Sequence, residues 1–478
     1  MQTKEQLLEY LRLFDSNLGF RELNEFVIQR EICTLCGTCL ALCPRIGVKE
    51  EKPALVAYDP ECSMCIRFCS RTYFPDQILE KTLFQNRIPK NYLIGNYQRI
   101  TNAKSTDEGV KEVAQNGGVV STLLMHALNT GFVDGVLLTN RNENWLPKPV
   151  VVTKPDEILS VAGSKYTIAP TLLAYNEAVC QYKLKNLAIV GMPCQIQAVR
   201  KLQLYPPLSD EFGKFKLVIG LYCSSNFSYD LVKNYIPGEL GIPLENIVKM
   251  DIAHGKFIIF TNDGVVKEIP LKEIKAYTWP SCRYCKDYTA EFADISVGSV
   301  GAPADDWNSV IIRTKVGEEI FDLAVSTGKI SATQKTDLSK IEKECFRKKS
   351  RITKLNKSVT DAMQFFNIPD NELEIYTVLM SIGFTNAPML SKVLKIEESK
   401  IQNILEALKQ RGWVLENGGM YRPVNPTKVI ANEIAKLKRN LEKNIMRIKS
   451  EALVDLEALY LQNNLKDVQS KEFFDNFF

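Results

Sequence analysis

Apolar residues recur along the chain with two spacings, and each spacing predicts a different kind of secondary structure. From residue 101 to about 330, short runs rich in β-branched residues alternate with helical stretches; the runs include GVLLTN, LAIVGMP, KLVIGLY and SVIIRT. This alternation predicts a mixed α/β or α+β domain. In residues 1 to about 30 the spacing is helical and predicts an amphipathic helix pair, with apolar positions at Leu7, Leu8, Leu11, Leu13, Leu23, Phe26 and Val27.

Helical spacing dominates the C-terminal part of the chain. Residues 369–426 contain three helical stretches and then WVLENGGMYRPV, in which we expect a hairpin to turn at Glu416–Gly419. Three helices followed by a two-stranded hairpin form the layout of a winged helix-turn-helix. Residues 427–478 predict a long helix suited to a coiled coil, to domain docking or to a homodimer, with an apolar stripe of Ile430, Ile434, Leu437, Leu441 and Ile448.

The composition of the chain excludes several classes of protein. Lys and Arg number 60 and Asp and Glu 56, and this net charge of +4 is too balanced for a chain built around nucleic acid. No apolar run approaches the roughly 18–20 residues of a membrane span. The N-terminus lacks the basic-then-apolar order of a signal peptide. We therefore expect a soluble, cytoplasmic protein without membrane insertion.

Histidine is almost absent, with only His126 and His254. This scarcity argues against zinc hydrolases and against mechanisms built on a Ser–His or Cys–His pair. We expect His126, inside an apolar helix, to be a core residue with satisfied hydrogen bonds, and His254 to be more exposed. The chemistry is therefore expected to use cysteine or a bound cofactor, and no acid–base residue is assigned.

Seven of the 13 cysteines lie between residues 33 and 69. The first four have the C-x2-C-x2-C-x3-C-P spacing of bacterial ferredoxins, and a second run, C-x2-C-x3-C, has Asp59 where a further cysteine is expected. The spacing predicts one iron–sulfur cluster held by Cys33, Cys36, Cys39 and Cys69. It predicts a second cluster held by Cys43, Cys62 and Cys65, with Asp59 at the fourth position.

Several alternatives remain for these cysteines at the level of sequence. The second cluster is either a [3Fe–4S] or labile cluster, a cluster with a carboxylate ligand from Asp59, or a cluster with a ligand from elsewhere in the chain. Structural zinc sites are the alternative for both runs. Zinc sites, however, space their cysteine pairs apart rather than chaining three cysteines at x2 intervals.

Four further cysteines are candidates for a third cluster. Cys194 and Cys223 each follow an apolar, strand-like run, and Cys282 and Cys285 form a C-x2-C pair. Because the ends of parallel strands meet at one edge of a sheet, the four can converge there. The alternative is a set of buried core cysteines and a lone C-x2-C pair. Cys180 and Cys345 have no partner pattern and are expected to be packing residues.

Glycine-rich turns mark candidate ligand sites in the same part of the chain. Residues 115–118 lead directly into a helix, and backbone N–H groups at such a helix start hold phosphate groups. A tight turn explains the glycine pair equally well. Residues 163–167 and 298–301 are two more segments whose small residues admit a ligand. Trp307 is either a stacking wall beside the second of these segments or a core residue.

The motifs of residues 101–330 resemble those of the beta subunit of coenzyme F420-reducing hydrogenases and related F420-dependent dehydrogenases. They include VAGSKYT, VGMPCQIQAVRKLQ, GLYCSSNF and CRYCKDYTAEFADISVGSVGAP. The N-terminal ferredoxin run resembles that of the dehydrogenase input subunits of methanogens, and YRPVNPTKVIANEI resembles archaeal sugar-responsive transcription regulators. The chain departs from the family pattern just before Trp307. It has Ala304, Asp305 and Asp306 where many relatives have a single Asp-Gly pair.

The resemblance implies two kinds of bound group in the core domain. It implies a [4Fe–4S] cluster on Cys194, Cys223, Cys282 and Cys285, which raises the expected number of clusters to three. It also implies FAD, with contacts at Gln115, Asn116, Gly117, Gly118, Ser121, Ser164, Lys165, Tyr166, Ser299, Val300 and Gly301. Lys165 and Arg313 are candidates for binding the anionic tail of the coenzyme, and an ordinary solvated role is the alternative for each.

The resemblance also implies the reaction. Coenzyme F420 is a deazaflavin that passes hydride, whereas an iron–sulfur cluster accepts one electron. We therefore expect reduced coenzyme F420 to give hydride to FAD, and single electrons to pass through the clusters to ferredoxin or a larger redox complex. The reverse reaction uses the same parts.

Two other functions remain open at the level of sequence. One is a redox-sensing DNA-binding regulator, whose recognition helix offers Lys400, Gln402, Asn403 and Lys409. The other is the same chemistry on a different substrate, such as a tetrapyrrole or a sulfur compound.

The predicted fold is α/β (α+β) with three structural parts. They are a ferredoxin-like iron–sulfur module, a flavin-binding mixed α/β core domain, and a winged helix with a long C-terminal helix. An Asn- and Lys-rich linker joins the first two parts up to about residue 100. The predicted boundaries are 1–85 for the helical cap and ferredoxin module, 95–335 for the core domain, 336–368 for a linker or helical connection, 369–426 for the winged helix and 427–478 for the helical end.

Overall fold

The computed structural model describes residues 18–57, 64–85, 91–204, 214–333, 336–351 and 357–467. Residue contacts divide the chain into two units, residues 1–353 and, apart from residues 381–383, residues 354–478. Some residues that carry the predictions from sequence lie outside the described residues: Leu7, Leu8, Leu11, Leu13, Asp59 and Cys62.

The strands and helices of the described residues are numbered in chain order. The strands are β1 (Ile46–Lys49), β2 (Lys52–Leu55), β3 (Arg99–Ser105), β4 (Gly135–Arg141), β5 (Pro147–Val152), β6 (Asn186–Gly191), β7 (Lys214–Leu221), β8 (Ile247–Ala253), β9 (Lys256–Thr261), β10 (Val266–Pro270), β11 (Ile295–Gly298), β12 (Asn308–Ile312), β13 (Ile330–Thr333), β14 (Thr385–Asn386), β15 (Val414–Asn417) and β16 (Met420–Pro423). The α-helices are α1 (Phe20–Leu23), α2 (Thr38–Leu42), α3 (Met64–Phe68), α4 (Asp76–Phe84), α5 (Glu108–Val113), α6 (Val119–Asn129), α7 (Glu157–Val161), α8 (Ala174–Asn176), α9 (Pro193–Gln203), α10 (Lys315–Ser326), α11 (Leu338–Lys349), α12 (Lys357–Met363), α13 (Asp370–Ile382), α14 (Ala387–Leu394), α15 (Glu398–Arg411), α16 (Pro426–Arg447) and α17 (Leu453–Asp467).

An eight-stranded sheet lies at the centre of the first unit, in the order β13-β3-β12-β11-β7-β6-β4-β5. Strands β11, β7, β6 and β4 are parallel to one another, and each outer strand is antiparallel to its neighbours. The central residues 187–189 and 217–219 are fully buried, as expected where helices cover both faces of parallel strands. The predicted mixed α/β core is confirmed.

Alternate residues of the central strands belong to two separate apolar cores. Ala188, Leu217 and Ile219 pack with α6 and α10, whereas Leu187 and Val218 pack with α9. Because successive side chains of a strand point to opposite faces, the two cores lie on the two sides of the sheet. The helices therefore hold the strand ends, and the loops that follow them, in fixed positions.

A smaller antiparallel sheet, in the order β10-β9-β8, lies in the same unit. Its core includes the fully buried Phe257 and Ile259, which pack with Leu231 of a π-helical segment, Leu231–Glu239. His254 lies in the β8–β9 turn with a positive φ and is exposed, as expected.

The N-terminal module contains α1 to α4 and the β1–β2 hairpin. Leu23 and Val27 are buried against Ile46 and Ile66, as their helical spacing predicts. Phe26 is 44% exposed, so its assignment to the buried face was wrong. The backbone becomes π-helical from Asn24 to Ile28, which changes the angular spacing that the prediction assumed.

The two segments predicted as connections contribute to a common core in the first unit. Ile341 and Cys345 of α11 are fully buried and pack in one cluster with Leu93 and Ile94. Residues 338–349 therefore form a packed helix, and residues 93–94 are not an exposed linker. The many lysines of α11 hide this apolar stripe in the sequence, because a helix needs only one apolar face to dock.

The second unit contains the predicted winged-helix layout. Helices α13, α14 and α15 are followed by the β15–β16 hairpin, and the short β14 adds to it in the order β14-β16-β15. The hairpin turns at Gly418 and Gly419, which both have positive φ. Buried Trp413 packs edge-to-face on Tyr376 and donates to Glu433 of α16 at 3.2 Å. These interactions join the hairpin to α13 and to the long helix.

The long helix α16 continues through a π-helical turn at Ile448–Ala452 into α17. The predicted stripe residues are all at least 36% exposed. In the described part of the chain, no helix is both long enough and apolar enough to cross a membrane.

Candidate functional site

Four cysteines meet at the carboxyl edge of the central sheet. Cys194 is the second residue of α9 directly after β6, and Cys223 follows β7. These strands are parallel and in register, with Gly191 opposite Gly220, so the two cysteines leave the sheet at the same edge. All four line one cavity of about 340 Å³, to which a 3-10 turn and the residue after it bring Cys282 and Cys285.

The thiols of this inner set interact strongly with one another. Burial raises the pKa of Cys194 well above its usual value, and the neighbouring Cys285 raises it further. Burial also raises the pKa of Cys223 to about 12. Burial acts the same way on Cys285, but the positive charges of Lys348 and Arg71 outweigh it and lower the pKa of that thiol. Buried thiols grouped around such cations match the donor set of a thiolate-bound cluster.

Backbone groups complete the surroundings of the inner set. The amide of Asn226 donates to Cys282 Sγ at 3.3 Å, and the Cys285 thiol donates to the carbonyl of Asp287 at 3.6 Å. Lys348 Nζ donates to the carbonyls of Cys223 and Asp287 at 2.5 and 2.7 Å. Hydrogen bonds to sulfur are one of the means by which proteins set the potential of an iron–sulfur centre.

A second set of thiols lies in the N-terminal module. Burial raises the pKa of Cys39 well above its usual value, and Cys36, Cys69, Cys33 and Cys65 raise it further. Burial and Cys69 raise the pKa of Cys33 to about 12. The structure thus brings together the four cysteines predicted for the first ferredoxin cluster.

The other predicted ferredoxin cluster is only partly described. Cys43 and Cys65 pack in one apolar cluster of the N-terminal module, and Cys65 is buried. Cys62 and Asp59 lie outside the described residues, so the alternatives for the fourth ligand stay open.

The geometry of the described cysteines differs from that of a single-ion site. Among the residues that the structure describes, no three His, Cys, Asp or Glu side chains converge as ligands of one metal ion do. A [4Fe–4S] cluster uses four cysteines in another way, because each binds a different iron.

Cys180 and Cys345 differ in burial. Cys345 is fully buried in an apolar cluster, as expected for a packing residue. Cys180 is exposed, so its prediction as a packing residue was wrong. It lies in a π-helical segment, Glu177–Gln181, that buries Ala178 and Val179 instead.

The predicted glycine turn packs against the start of β12. Gly118 has a φ of 72° and precedes α6, whose third residue is Ser121. A Cβ on Gly117 would lie 2.9 Å from the backbone nitrogen of Asn308. Asn116 Nδ2 donates to the carbonyl of Asp305 at 3.3 Å. The glycines therefore allow close contact between two backbone segments.

Gln115 joins this turn to the predicted 163–167 segment. Its Oε1 accepts from the amide of Ser164 at 3.2 Å, and its Nε2 donates to the carbonyl of Met250 at 3.4 Å. Tyr166 donates to Asp251 Oδ1 at 3.1 Å. A cavity of about 270 Å³ is lined here by Trp145, Ser164, Lys165, Tyr166, Thr167, Leu231, Val232, Met250 and Phe257. Three aromatic side chains, those of Trp145, Tyr166 and Phe257, thus lie around the predicted 163–167 segment.

Part of the third predicted segment, residues 298–301, packs against other parts of the core domain. Ser299 is exposed and Val300 is half-buried, and the carbonyl of Val300 accepts from Ser309 Oγ at 2.7 Å. Gly301 has a φ of 89°, and a Cβ on it would meet Ile341 Cγ1 at 2.9 Å. Gly301 is therefore required for contact with α11.

The two basic residues considered for the coenzyme tail have protein partners. Arg313 is 1% exposed, and its guanidinium donates to Ser296 Oγ, to the carbonyls of Ile94 and Asn96, and to Thr289. It is a structural residue, so its assignment to the tail was wrong. Lys165 Nζ donates to the last carbonyls of α7 and to that of Gly163, and burial lowers its pKa to about 8.

His126 differs from its predicted environment. His126 is buried as expected, but its Nε2 has no hydrogen-bond partner among the described residues, so the prediction of a satisfied histidine was wrong. Burial lowers the pKa of His126, and the positive charge of the nearby Lys329 lowers it further.

The predicted wall residue Trp307 is half-buried. Lys104 Nζ lies 4.8 Å from the centre of its ring and pairs with Asp306 at 2.7 Å.

Sequence reasoning missed three residues of the site. Arg71 and Lys348 reach the inner cysteines from segments distant in sequence, and no local pattern marks them. Asn308 connects the start of α6 to β11, because its Oδ1 accepts from the amide of Val119 and its Nδ2 donates to the carbonyl of Gly298. Its position beside Trp307 in a family motif was the available signal.

A known protein family matches the core domain that holds these residues. The family profiles "Coenzyme F420 hydrogenase/dehydrogenase, beta subunit" match residues 100–175 with their N-terminal part and residues 184–338 with their C-terminal part. The beta subunit of coenzyme F420 hydrogenase from Methanothermobacter thermautotrophicus is 40% identical over 273 residues, 55% of this chain and 95% of that protein. The chain belongs to this family. The resemblance inferred from the core motifs is confirmed.

Further comparisons match a longer part of the chain and its C-terminal region. One subunit of the F(420)H(2) dehydrogenase of Methanosarcina mazei is 36% identical over 334 residues, 66% of this chain and 89% of that protein. A chain of the F420-reducing NiFe hydrogenase complex from Methanosarcina barkeri matches with a TM-score of 0.53 and 36% identity, over 59% of this chain and 97% of that one. The profile "Sugar-specific transcriptional regulator TrmB" matches residues 363–428.

Proposed function

We propose that this protein is an oxidoreductase that transfers hydride between coenzyme F420 and bound FAD. It passes single electrons through iron–sulfur clusters to or from ferredoxin or a partner redox complex. The observation that carries this proposal is the inner set, four cysteines from three separate segments that line one cavity at the carboxyl edge of the sheet. Relatives named for coenzyme F420 share this core.

The chain contains candidate binding residues for the clusters and for FAD. Cys194, Cys223, Cys282 and Cys285 would hold the inner cluster, and Cys33, Cys36, Cys39 and Cys69 would hold one ferredoxin cluster. The 115–121 turn and the 164–166 segment would hold FAD. When bound, FAD exchanges hydride with the coenzyme and single electrons with the clusters.

The protein residues orient these groups and exclude water. Buried residues around the inner set, such as Ser281, keep the cavity away from solvent. The hydrogen bond from Ser164 to Gln115 joins two of the segments proposed for FAD and fixes their separation. Tight positioning of this kind sets the rate of hydride transfer, which requires close approach of the two reacting rings.

Anaerobic purification followed by iron, sulfide and flavin analysis tests the proposal. Three full clusters predict about 12 irons per chain, and a three-iron centre at the Asp59 position predicts about 11. Reduced coenzyme F420 should reduce a viologen dye, with reduced ferredoxin and candidate substrates such as sulfur compounds assayed beside it. A colourless protein without flavin or sulfide would refute the proposal.

A second candidate function is a redox-sensing DNA-binding regulator. The observation in its favour is the winged-helix layout, in which α15 exposes Lys400, Gln402, Asn403 and Lys409. Lys409 is already paired with Glu406 and Glu416, however, which reduces the charge available for phosphates. A salt-dependent gel shift with genomic fragments tests this function, since phosphate contacts weaken steeply with salt.

We also propose that two copies pair through the stripe of α16. Ile434, Leu437 and Leu441 are each more than 40% exposed on a helix of 22 residues. Apolar residues at such spacing are covered when two helices form a coiled coil. Sedimentation of the parent protein should show a dimer, and Leu441→Lys should shift it to a monomer. A parent protein that sediments as a monomer would refute pairing.

A further inference from the structure

Arg71 lies between the two sets of cysteines. It comes from the N-terminal module, two residues after Cys69, and its backbone amide donates to Cys69 Sγ at 3.4 Å. Its side chain lines the cavity of the inner set, where it forms a hydrogen bond with Cys285. One residue therefore contacts both sites that are proposed to hold clusters.

Two nitrogen donors of the Arg71 guanidinium have no hydrogen-bond partner among the described residues. Its Nε and Nη2 are buried and have no acceptor among the residues that the structure describes. A buried N–H group without an acceptor has lost its hydrogen bond to water and gained none in return, which is most costly for a charged group. The cavity that the guanidinium faces is the one lined by four thiols. Cluster-bound sulfur in that cavity would supply the missing acceptors.

Contacts with the core domain fix the position of the Arg71 segment. Lys201 of α9 is fully buried, and its Nζ donates to the carbonyl of Cys69 at 2.6 Å and to Thr72 Oγ1 at 2.9 Å. Thr72 Oγ1 in turn donates to the carbonyl of Ile66 at 2.8 Å. The residues on both sides of Arg71 are thus held, and its side chain has a defined direction into the cavity.

The charges around Arg71 indicate what the residue does. The thiols near its charge are those of Cys285 and Cys194 in the inner set, and its amide donates to Cys69 Sγ in the N-terminal module. Lys348 is a second cation of the inner set, held by the carbonyls of Cys223 and Asp287 and close to the thiols of Cys285 and Cys223. A cation near a buried redox centre favours the more negative, reduced form, and the effect is large where water is excluded.

We propose that Arg71 supplies a buried positive charge, in addition to that of Lys348, that stabilises the inner cluster and raises its reduction potential relative to the ferredoxin cluster on Cys69. This inference rests on the proposed function, because it requires that both sites hold clusters. Transfer between the two sites moves one electron and neither makes nor breaks a bond. Arg71 would therefore favour residence of the electron on the inner cluster.

Redox titration followed by electron paramagnetic resonance tests this proposal on the full-length chain, purified without air. The inner cluster is identified as the signal that Cys194→Ala removes. Arg71→Gln should lower the midpoint potential of that signal by about 59 mV, which corresponds to a tenfold change in the one-electron equilibrium constant. Arg71→Lys, which keeps the charge, should retain most of the potential.

Arg283→Gln is the matched control. Arg283 follows Cys282 directly, but it is 54% exposed and pairs with Glu31 at 3.0 Å. Solvent screens an exposed charge. The control should therefore shift the equilibrium constant by less than about threefold, even though it also removes one arginine charge next to a cluster cysteine.

Each outcome of the experiment decides the proposal. Full iron in Arg71→Gln with an unchanged potential would overturn it. Loss of iron in Arg71→Gln but not in Arg71→Lys would support a requirement for charge, and loss of iron in both variants would overturn the charge role. Absence of iron and sulfide from the parent protein would refute the proposed function itself, which is a separate result.

Discussion

At the scale of single residues, buried charged groups of the first unit have two different roles. Arg200 and Asp294 form a pair with side chains 3% and 6% exposed, and Asp294 also accepts from the amide of Val218 and from Thr314 Oγ1, both at 2.8 Å. All of these interactions are internal to the scaffold. Arg71 instead directs unsatisfied donors at the inner cysteines. The pair of Arg200 and Asp294 stabilises the sheet, whereas the guanidinium of Arg71 lies at the proposed cluster site.

Removal of the Asp294 charge should destabilise the protein strongly. Asp294→Asn leaves Arg200 buried without its counter-charge, which typically lowers the free energy of unfolding by about 3–5 kcal/mol. Chemical denaturation measures the loss. Asp322→Asn breaks the ion pair with Arg99, whose side chains are 50% and 43% exposed, and should cost at most about 1 kcal/mol. Equal losses in the two variants would contradict this account.

Removal of one inner cysteine should remove one cluster. Cys194→Ala deletes a ligand of the inner set, and we expect iron to fall by about four per chain while FAD is retained. The rate of electron transfer from reduced coenzyme F420 to the viologen dye should fall together with the iron content. Cys180→Ala removes an exposed cysteine away from both sets and should leave iron unchanged. Full iron in Cys194→Ala would show that Cys194 is not a ligand.

At the scale of secondary-structure elements, the loops after the strands of the central sheet determine the site. The register of β6 and β7 fixes where Cys194 and Cys223 leave the sheet. Helix α11 adds Lys348 to the same cavity and buries Ile341 against Gly301. A segment that sequence composition marks as a connection therefore completes the core domain.

Substitution of Gly117 tests the turn before α6. In Gly117→Ala the new Cβ would meet backbone atoms of residues 307 and 308 at 2.9 Å, so one segment must move. We expect a loss of about 1–3 kcal/mol in unfolding free energy, as for other overpacked sites, together with reduced FAD content.

Gly238→Ala is the control for that substitution. Gly238 has open space around its Cβ position and ordinary backbone angles, so its change should stay within about 0.5 kcal/mol. Retention of full FAD by Gly117→Ala would show that the turn does not hold the flavin.

At the scale of the whole molecule, the chain combines two units with separate cores. All three proposed cluster sites and the proposed FAD site belong to the first unit, and the winged-helix layout lies in the second. The predicted electron path therefore requires only the first unit.

Truncation of the chain after residue 353 tests this division. The shortened protein should reduce viologen dye with reduced coenzyme F420 within about twofold of the parent rate, because a domain with its own core folds alone. It should also lose the dimer that α16 is proposed to form, which sedimentation measures. A rate reduced tenfold or more, with full iron and FAD, would show that the second unit contributes to electron transfer.

The sequence alone determined the features that depend on local spacing. Strand-like runs, the Gly418–Gly419 turn and the helix stripes follow from the period of side chains along a strand or helix, which neighbouring residues fix. The cysteine spacing indicated the grouping of Cys33, Cys36 and Cys39 for the same reason. Family motifs of the core, read from the sequence, identified the family.

Only the tertiary structure decided which distant residues share a site and which charges are buried. Arg71 and Lys348 carry no local pattern, because their roles depend on contacts between segments far apart in the chain. Arg313 is basic in sequence, but burial and five internal hydrogen bonds make it structural. The spacing of apolar residues in the sequence predicts whether a segment is a helix or a strand. The role of a side chain depends instead on its burial and on its contacts with distant segments.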